Sequence, residues 1–357
     1  MAARRELWFL QPFRFPSDHA HSIQILNTCR SIAEEGTSVR LMVQRNPERP
    51  VADVDEGLRC YGLLPHEGLR IDWLPTTHKG ITGAAARFRI WRAKGPPVFY
   101  ARHFRLAAWS ARRGPTIVEL HRLDPASERA VARARGIVTI ATPLRDAVQK
   151  VFQPRSPIEV IPDAADLSKF PPVQRDGPLR LVYTGHFHEW KGVDVLIRAL
   201  ALLPEVSALV VGGRSDGRGE ELRRLAEREG VSGRIRWIGF VPQSEIAGHL
   251  TRGDIGIVPT RAQNGQDIAA SPLKLFEFMA VGVPVVVSDL PSLRDIVRDG
   301  ENGILFREGD PASLAEGIRR ADSDRNRLVS RATEEAHRHT WRERARRILG
   351  FLDRLGL

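Results

Sequence analysis

Residues 271–289, SPLKLFEFMAVGVPVVVSD, constrain the fold more than any other part of this chain. Ser271 is a good helix N-cap, and Pro272 at the first helical position forfeits no hydrogen bond. Gly282 closes the helix and Pro284 blocks its continuation. Val285, Val286 and Val287 then read as a buried strand. A helix that hands over within a few residues to a strand apolar on both faces is the repeating piece of a parallel sheet with helices packed on it.

The same alternation runs along the whole chain. Before residue 165, strands are expected at 7–10, 38–43, 71–74, 98–101, 116–119, 137–140 and 158–161, and helices at 22–35, 84–93 and 143–152. Residues 46–68 are rich in Pro, Gly and charge and read as loop; residues 162–172 read as a linker. Beyond it, strands are expected at 180–184, 207–211, 234–238, 254–258 and 284–288, and helices at 193–203, 219–229, 244–251 and 272–281. Helices from Asp310 and from Glu334 close the chain. A length of 357 residues suits two domains better than one. The expectation is an α/β protein of two Rossmann-like domains facing across a cleft. They cover residues 1–165 and 172–335, with a last helix at about 336–357 packing back on the first domain. In such sheets ligands sit outside the carboxyl ends of the strands.

Composition removes other classes. No apolar run approaches the roughly 20 residues of a membrane span. The run Leu7, Trp8, Phe9, Leu10 is too short for a signal-peptide core and reads as a first strand, so a cytoplasmic protein is expected. Cys29 and Cys60 offer neither a disulfide framework nor metal-ligand spacing. Asp53 and Asp55 look like a metal-binding acidic pair, but they stand in the loop-like stretch without partner ligands, and no metal is expected.

The net charge of +11 rests on 48 Arg and only six Lys. Two of the six, Lys191 and Lys274, fall where chemistry is expected. The helix N-terminus at Ser271, Pro272 and Leu273 is a ready anion site, and Glu277 on that helix can accept from vicinal hydroxyls. An anion beside a diol is what a nucleotide-sugar presents. A salt bridge between Glu277 and Lys274, three residues back, is the bland alternative. Upstream, LVYTGH at 181–186 followed by EWKG at 189–192 reads as strand, glycine turn, loop, and a Lys at the mouth of the next helix. There Lys191 can neutralise a diphosphate as a point charge. Gly212 and Gly213 make a second glycine turn, which by itself serves only the chain reversal.

These segments resemble the C-terminal half of glycosyltransferase family 4, retaining enzymes of the GT-B fold. The resemblance covers roughly residues 158–306 and is loose before them. It implies transfer of a sugar from a nucleoside-diphosphate sugar to an acceptor, without a metal or other cofactor. It implies that Gly185, His186 and Lys191 face the donor diphosphate, with His186 standing where the family carries Arg. It also implies that Glu277, the second glutamate of a spaced pair, contacts the ribose. The first glutamate of that pair falls on Ala269, a departure that Asp267 or Ser271 in the same loop could compensate. His121, at the end of the apolar strand IVELH, matches the place where the family sets a His against the sugar; a structural His is the alternative.

Acceptor recognition is expected in the first half, from Arg102 and His103 at a strand end and from Arg14, Ser17 and His19 in the first loop. Residues 73–118 hold nine Lys or Arg and no Asp or Glu, interleaved with Phe88, Trp91, Phe99, Tyr100, Phe104 and Trp109. Such a stretch suits nucleic acid, an anionic membrane at the inner face or an acidic acceptor; a solvated basic face is the plain alternative. The helix at 84–93 is expected to set Ala84, Phe88 and Trp91 on one side, with Arg87, Arg89 and Arg92 off it. The nucleotide-sugar reading makes the chain a retaining glycosyltransferase with an unidentified acceptor and no nucleic-acid partner. A nucleotide-sugar epimerase of the same fold and a basic nucleic-acid-binding protein are the rival readings.

Overall fold

The computed structural model describes residues 6–75, 79–93, 97–166, 178–213, 217–263 and 269–357. The chain divides into two compact units, Met1–Pro162 with Trp341–Leu357, and Asp163–Thr340.

The first unit carries β1 (Glu6–Leu10), β2 (Arg14–Phe15), β3 (Ser38–Arg45), β4 (Leu69–Leu74), β5 (Val98–Ala101), β6 (Thr116–Leu120), β7 (Gly136–Thr139) and β8 (Ile158–Val160). They lie in the order β2-β3-β1-β5-β6-β7-β8, with β4 also paired to β3. The ladders are parallel, and Phe9 of β1 stands opposite Leu41 on one side and Tyr100 on the other. β5 and β6 are buried along their whole length, which is why they read as continuous apolar runs. The helix Trp341–Arg354 returns to this unit and adds Ala345, Ile348, Phe351 and Leu352 to its core.

The second unit carries β9 (Arg180–Gly185), β10 (Ser207–Gly212), β11 (Ile235–Gly239), β12 (Ile255–Val258), β13 (Val285–Ser288) and β14 (Ile304–Phe306). Their order is β11-β10-β9-β12-β13-β14, again with parallel pairing. Strand order reverses between β9 and β12 here, and between β1 and β5 in the first unit. Loops leaving such neighbours part in opposite directions and open a crevice at their carboxyl ends.

Several local expectations fail for identifiable reasons. Residues 46–68 contain a helix, Val54–Arg59, which is too short to show a periodic pattern. Asp53 caps it by accepting from the Glu56 N–H at 2.8 Å, so this acidic residue serves the backbone rather than a metal. Glu334 does not open a helix; it lies near the end of Arg325–Ala336, which precedes Trp341–Arg354. Ser271 does not cap the helix Leu273–Ala280. Pro272 occupies the cap position, and the Ser271 hydroxyl accepts from the Asp163 N–H at 3.0 Å. The expected stop holds: Gly282 turns with φ +72° directly after that helix. Of the expected linker, residues 167–172 lie outside the described residues, as does Asp267.

Candidate active site

In the second unit the crevice between β9 and β12 gathers the sequence-derived donor residues. Gly185 ends β9, and the chain then passes His186 and a single 3-10 turn, Glu189–Lys191, before the helix Val193–Ala201. Tyr183, fully buried, donates its hydroxyl to the His186 carbonyl at 2.7 Å and fixes where this loop leaves the sheet. Gly192 adopts φ +69°, and a Cβ there would stand 1.8 Å from the Pro259 carbonyl oxygen. The Lys-Gly pair therefore presses directly on the loop after β12. The Arg261 N–H donates to the Trp190 carbonyl at 2.8 Å, and the Arg261 guanidinium pairs with Asp194 at 2.6 Å, which ties the two loops together.

Lys191 sets its ammonium 3.9 Å from the centroid of the Trp190 ring, and burial lowers its pKa to about 8. It makes no ion pair among the described residues. Lys274, on the helix Leu273–Ala280, is buried, with Nζ 3.7 Å from the centroid of the Tyr183 ring. Glu277, one turn along the same helix, accepts from Gln243 Nε2 at 2.8 Å. Burial raises its pKa, against the pull of that hydrogen bond and of Lys274. The bland alternative, a Lys274–Glu277 ion pair, is not formed. Ser271 and Pro272 precede this helix and Leu273 opens it, but the Ser271 side chain is spent on Asp163. Ala269, where the paired glutamate would stand, is buried.

The first unit is organised around a residue that sequence reasoning passed over. Glu119 sits fully buried in β6, and His121 follows just beyond the strand end. Glu119 Oε1 accepts from His121 Nε2 and from Gln24 Nε2 at 3.0 Å, with Arg102 Nε at 3.7 Å. Its Oε2 accepts from the Tyr100 hydroxyl and from Arg344 Nη2 at 2.7 Å. Burial alone would raise this carboxyl, but Arg344, His121 and Arg102 outweigh it and hold it well below the usual carboxylate range. Arg344 also donates to the Ile161 and Pro162 carbonyls, each at 2.6 Å, so the returning C-terminal helix is locked to this carboxylate.

The expected acceptor residues divide. Arg102 joins the cluster, donating to the His21 carbonyl at 3.4 Å and to the Gln24 side chain. His19 stacks on His21 with ring centroids 5.4 Å apart, and His21 is lowered to about 4 by burial and then by Arg102, His19 and His121. His103 instead caps the helix Phe104–Ser110, its ring nitrogen accepting from the Leu106 N–H at 3.3 Å. Arg14 is exposed and paired with Glu48 at 3.0 Å. Ser17 is buried, its carbonyl accepting from Tyr61 and Ser22 hydroxyls. These three hold the loop and its neighbours in place. Glu119 and Arg344 did leave signals: a carboxylate inside the apolar run TIVEL, and an Arg in register with Trp341, Ala345 and Ile348 on the buried face of the last helix.

Residues 178–324 match the family described as "Glycosyl transferases group 1". The D-inositol 3-phosphate glycosyltransferase of Xylanimonas cellulosilytica is 28% identical over 380 residues, covering 92% of this chain and 90% of that protein. The chain is a glycosyltransferase. Its resemblance to glycosyltransferase family 4 accordingly stands, and transfer of glycosyl groups is its chemistry. The same-named enzyme of Nocardia farcinica is 25% identical to this glycosyltransferase, over 92% of the chain and 83% of that protein. Among solved structures, sucrose-phosphate synthase from Thermosynechococcus elongatus aligns with a TM-score of 0.79 at 18% identity, over 99% of each chain. Anabaena HepE in complex with UDP aligns at 0.75 and 18% identity, over 98% of this chain and 99% of that one. The glycosyltransferase thus has the GT-B fold, and these likenesses lend nothing to the epimerase or the nucleic-acid reading.

Proposed function

We propose that the second unit binds a nucleoside-diphosphate sugar and that the sugar is transferred, with retention and without a metal, to an acceptor held by the first unit. The observation that carries this is the buried ammonium of Lys191, without an ion pair among the described residues, at the reversal of strand order between β9 and β12 in the unit that also carries Glu277. Loss of the diphosphate builds negative charge on the leaving phosphate, and fixed cations aimed there lower the barrier most. The bond from the anomeric carbon to the phosphate oxygen breaks, and the acceptor oxygen bonds the same carbon on the vacated face. The acceptor proton passes to a phosphate oxygen of the leaving group. Glu277 is assigned to the ribose hydroxyls, and Gly185 and His186 to the diphosphate. His121, fixed by Glu119, is assigned to the transferring sugar, and Arg102 and His19 to the acceptor. HepE, of the same fold, was solved with UDP bound, which supports a nucleotide donor. Among the described residues no three His, Cys, Asp or Glu side chains gather as a metal-binding group.

A thermal-shift screen with UDP, GDP, ADP and their sugars, run throughout in EDTA, tests the reading. A donor at a hundred times its dissociation constant should stabilise the protein by about 2.7 kcal/mol. Silence from all the nucleotides, or a response that appears only when Mg²⁺ or Mn²⁺ replaces the chelator, would overturn it.

A second partner is read from the first unit. On the helix Lys79–Trp91, Ala86 and Ile90 are buried, while Phe88 and Trp91 are 56% and 57% exposed. Their rings stack with centroids 6.1 Å apart, and Arg87 and Arg92 share that exposed side instead of lying off it. Arg89 turns away to the Trp73 carbonyl at 2.7 Å, and Phe99 and Tyr100 belong to the core. Exposed aromatics flanked by Arg fit the headgroup layer of an anionic bilayer. Among the described residues no helix is long and apolar enough to cross a membrane. From the exposed Phe88, Trp91, Arg87 and Arg92 we propose a cytoplasmic enzyme in peripheral contact with the inner membrane face.

A further inference from the structure

Lys274 is a buried cation with no ion pair among the described residues. Its ammonium has no hydrogen-bond partner among the described residues, although burying an unpaired ammonium is costly. The ring of Tyr183 offers a cation–π contact only, and the Tyr183 hydroxyl hydrogen is committed to the His186 carbonyl. Glu277, the nearest carboxylate on the same helix, accepts from Gln243 instead. The place where this ammonium ends is informative. A Cβ built on Gly185 would stand 4.0 Å from Lys274 Nζ, and Gly185 itself is exposed. The buried ammonium thus lies against the side-chain-free end of β9. Gly212, at the end of the neighbouring β10, keeps the same ground bare: a Cβ there would lie 2.2 Å from the Gly185 carbonyl oxygen.

We propose that Lys274 is a second diphosphate-binding cation, reaching the donor beside Gly185 from the helix Leu273–Ala280 while Lys191 reaches it from the loop after β9. The proposal rests on the donor-site reading above and deepens it. Two ammonium groups from different elements would hold a leaving group of high charge at two points, and this fixes its orientation as well as neutralising it. The bare site is electrostatically strained. Burial and then the Lys191 cation push the Lys274 ammonium toward its neutral form, with Glu277 pulling the other way, and burial does the same to Lys191. The charged groups facing Lys274 are thus Lys191 and Glu277, with the Tyr183 phenol held neutral by its own burial. An arriving diphosphate supplies the counter-charge and reverses that balance.

The test compares wild type, Lys274→Met and Lys191→Met by titration calorimetry, with the nucleoside diphosphate that stabilises the wild type and with its nucleoside. Lys274→Met should weaken the diphosphate roughly 10- to 100-fold and leave the nucleoside unchanged. It should also leave the ligand-free melting temperature level or raised, because Met fills the space and removes an uncompensated charge. Unchanged diphosphate affinity in Lys274→Met, with loss in Lys191→Met, would overturn the proposal and leave the donor site standing. If no nucleoside diphosphate binds the wild type, the donor-site reading falls and this proposal with it. Should the Met variant not fold, Lys274→Gln decides the matter by the same two titrations. A 10-fold or greater loss of diphosphate affinity with the nucleoside unchanged supports the second cation, and unchanged diphosphate affinity overturns it.

Discussion

Both units reverse their strand order beside their first strand, yet they treat charge at the strand ends in opposite ways. In the first unit Glu119 is met by Arg344, Arg102, His121, Gln24 and Tyr100, so its network is complete before any ligand arrives. In the second, the ammonium groups of Lys191 and Lys274 lie against aromatic rings and make no ion pair among the described residues. A completed network rigidifies what it touches and holds His121 in one orientation; an incomplete one stores affinity for the missing counter-charge. The difference separates a positioning crevice from an anion-binding one. It also predicts that mutations in the first unit cost stability, while those in the second cost function.

The largest effect is therefore expected at Glu119. Glu119→Ala strips a buried carboxylate from Arg344 and Arg102 and leaves two guanidinium groups uncompensated, at about 3–5 kcal/mol. Chemical denaturation should show the midpoint falling sharply, with the loss felt by the helix Trp341–Arg354, which Arg344 anchors. The sign of its pH dependence follows from its depressed pKa. The stabilisation is present above the unfolded carboxyl value, near 4.3, and is lost as pH falls toward the folded one. A variant as stable as wild type would mean that Glu119 is not the hub of the first unit.

Lys191→Ala comes next and should behave in the contrary way. Removing the half-buried cation takes away stabilisation of the leaving group, worth roughly 10²–10³ in kcat, with the fold intact. Steady-state rates and a melting curve on the same preparation check both halves. A folded Lys191→Ala enzyme with ordinary turnover would remove the donor assignment, and with it the contrast between the crevices.

How much of this contrast could be read from the sequence depends on how far apart the partners lie. Lys191 and Glu277 sit in local motifs whose strand, turn and helix are contiguous, so their elements were legible from 181–192 and 271–289. The partners of Glu119 come from residues 24, 100, 102, 121 and 344, and only the fold assembles them. Ser271 shows a local rule losing to a tertiary one: Ser before Pro is good capping chemistry, but the Asp163 N–H claims the hydroxyl. The helix Val54–Arg59 buries only Gly57 and Leu58, too few for a period to show in the sequence. On Lys79–Trp91 the pattern did reveal a helix, but Ala86 and Ile90 provide the buried contact and the larger apolar side chains face out. Periodicity identifies faces, and it does not say which face meets the protein.

That outward face gives the smallest predicted effect and extends the comparison beyond the crevices. If the first unit is the one that positions, it should also hold the enzyme against its surroundings, and Phe88, Trp91, Arg87 and Arg92 are the groups exposed to do so. Each Arg near an anionic surface contributes about 1 kcal/mol, so Arg87→Gln with Arg92→Gln should reduce partitioning onto anionic vesicles roughly 30-fold. Binding should also weaken as salt rises, because the attraction falls off within a Debye length. Neither Arg carries any part of the Glu119 network, so donor affinity and melting temperature should stay at wild-type values. Co-sedimentation with anionic and neutral vesicles at two salt concentrations measures the effect. Equal binding to both lipids, or to neither, would confine the first unit to its crevice and make the exposed helix a solvated face.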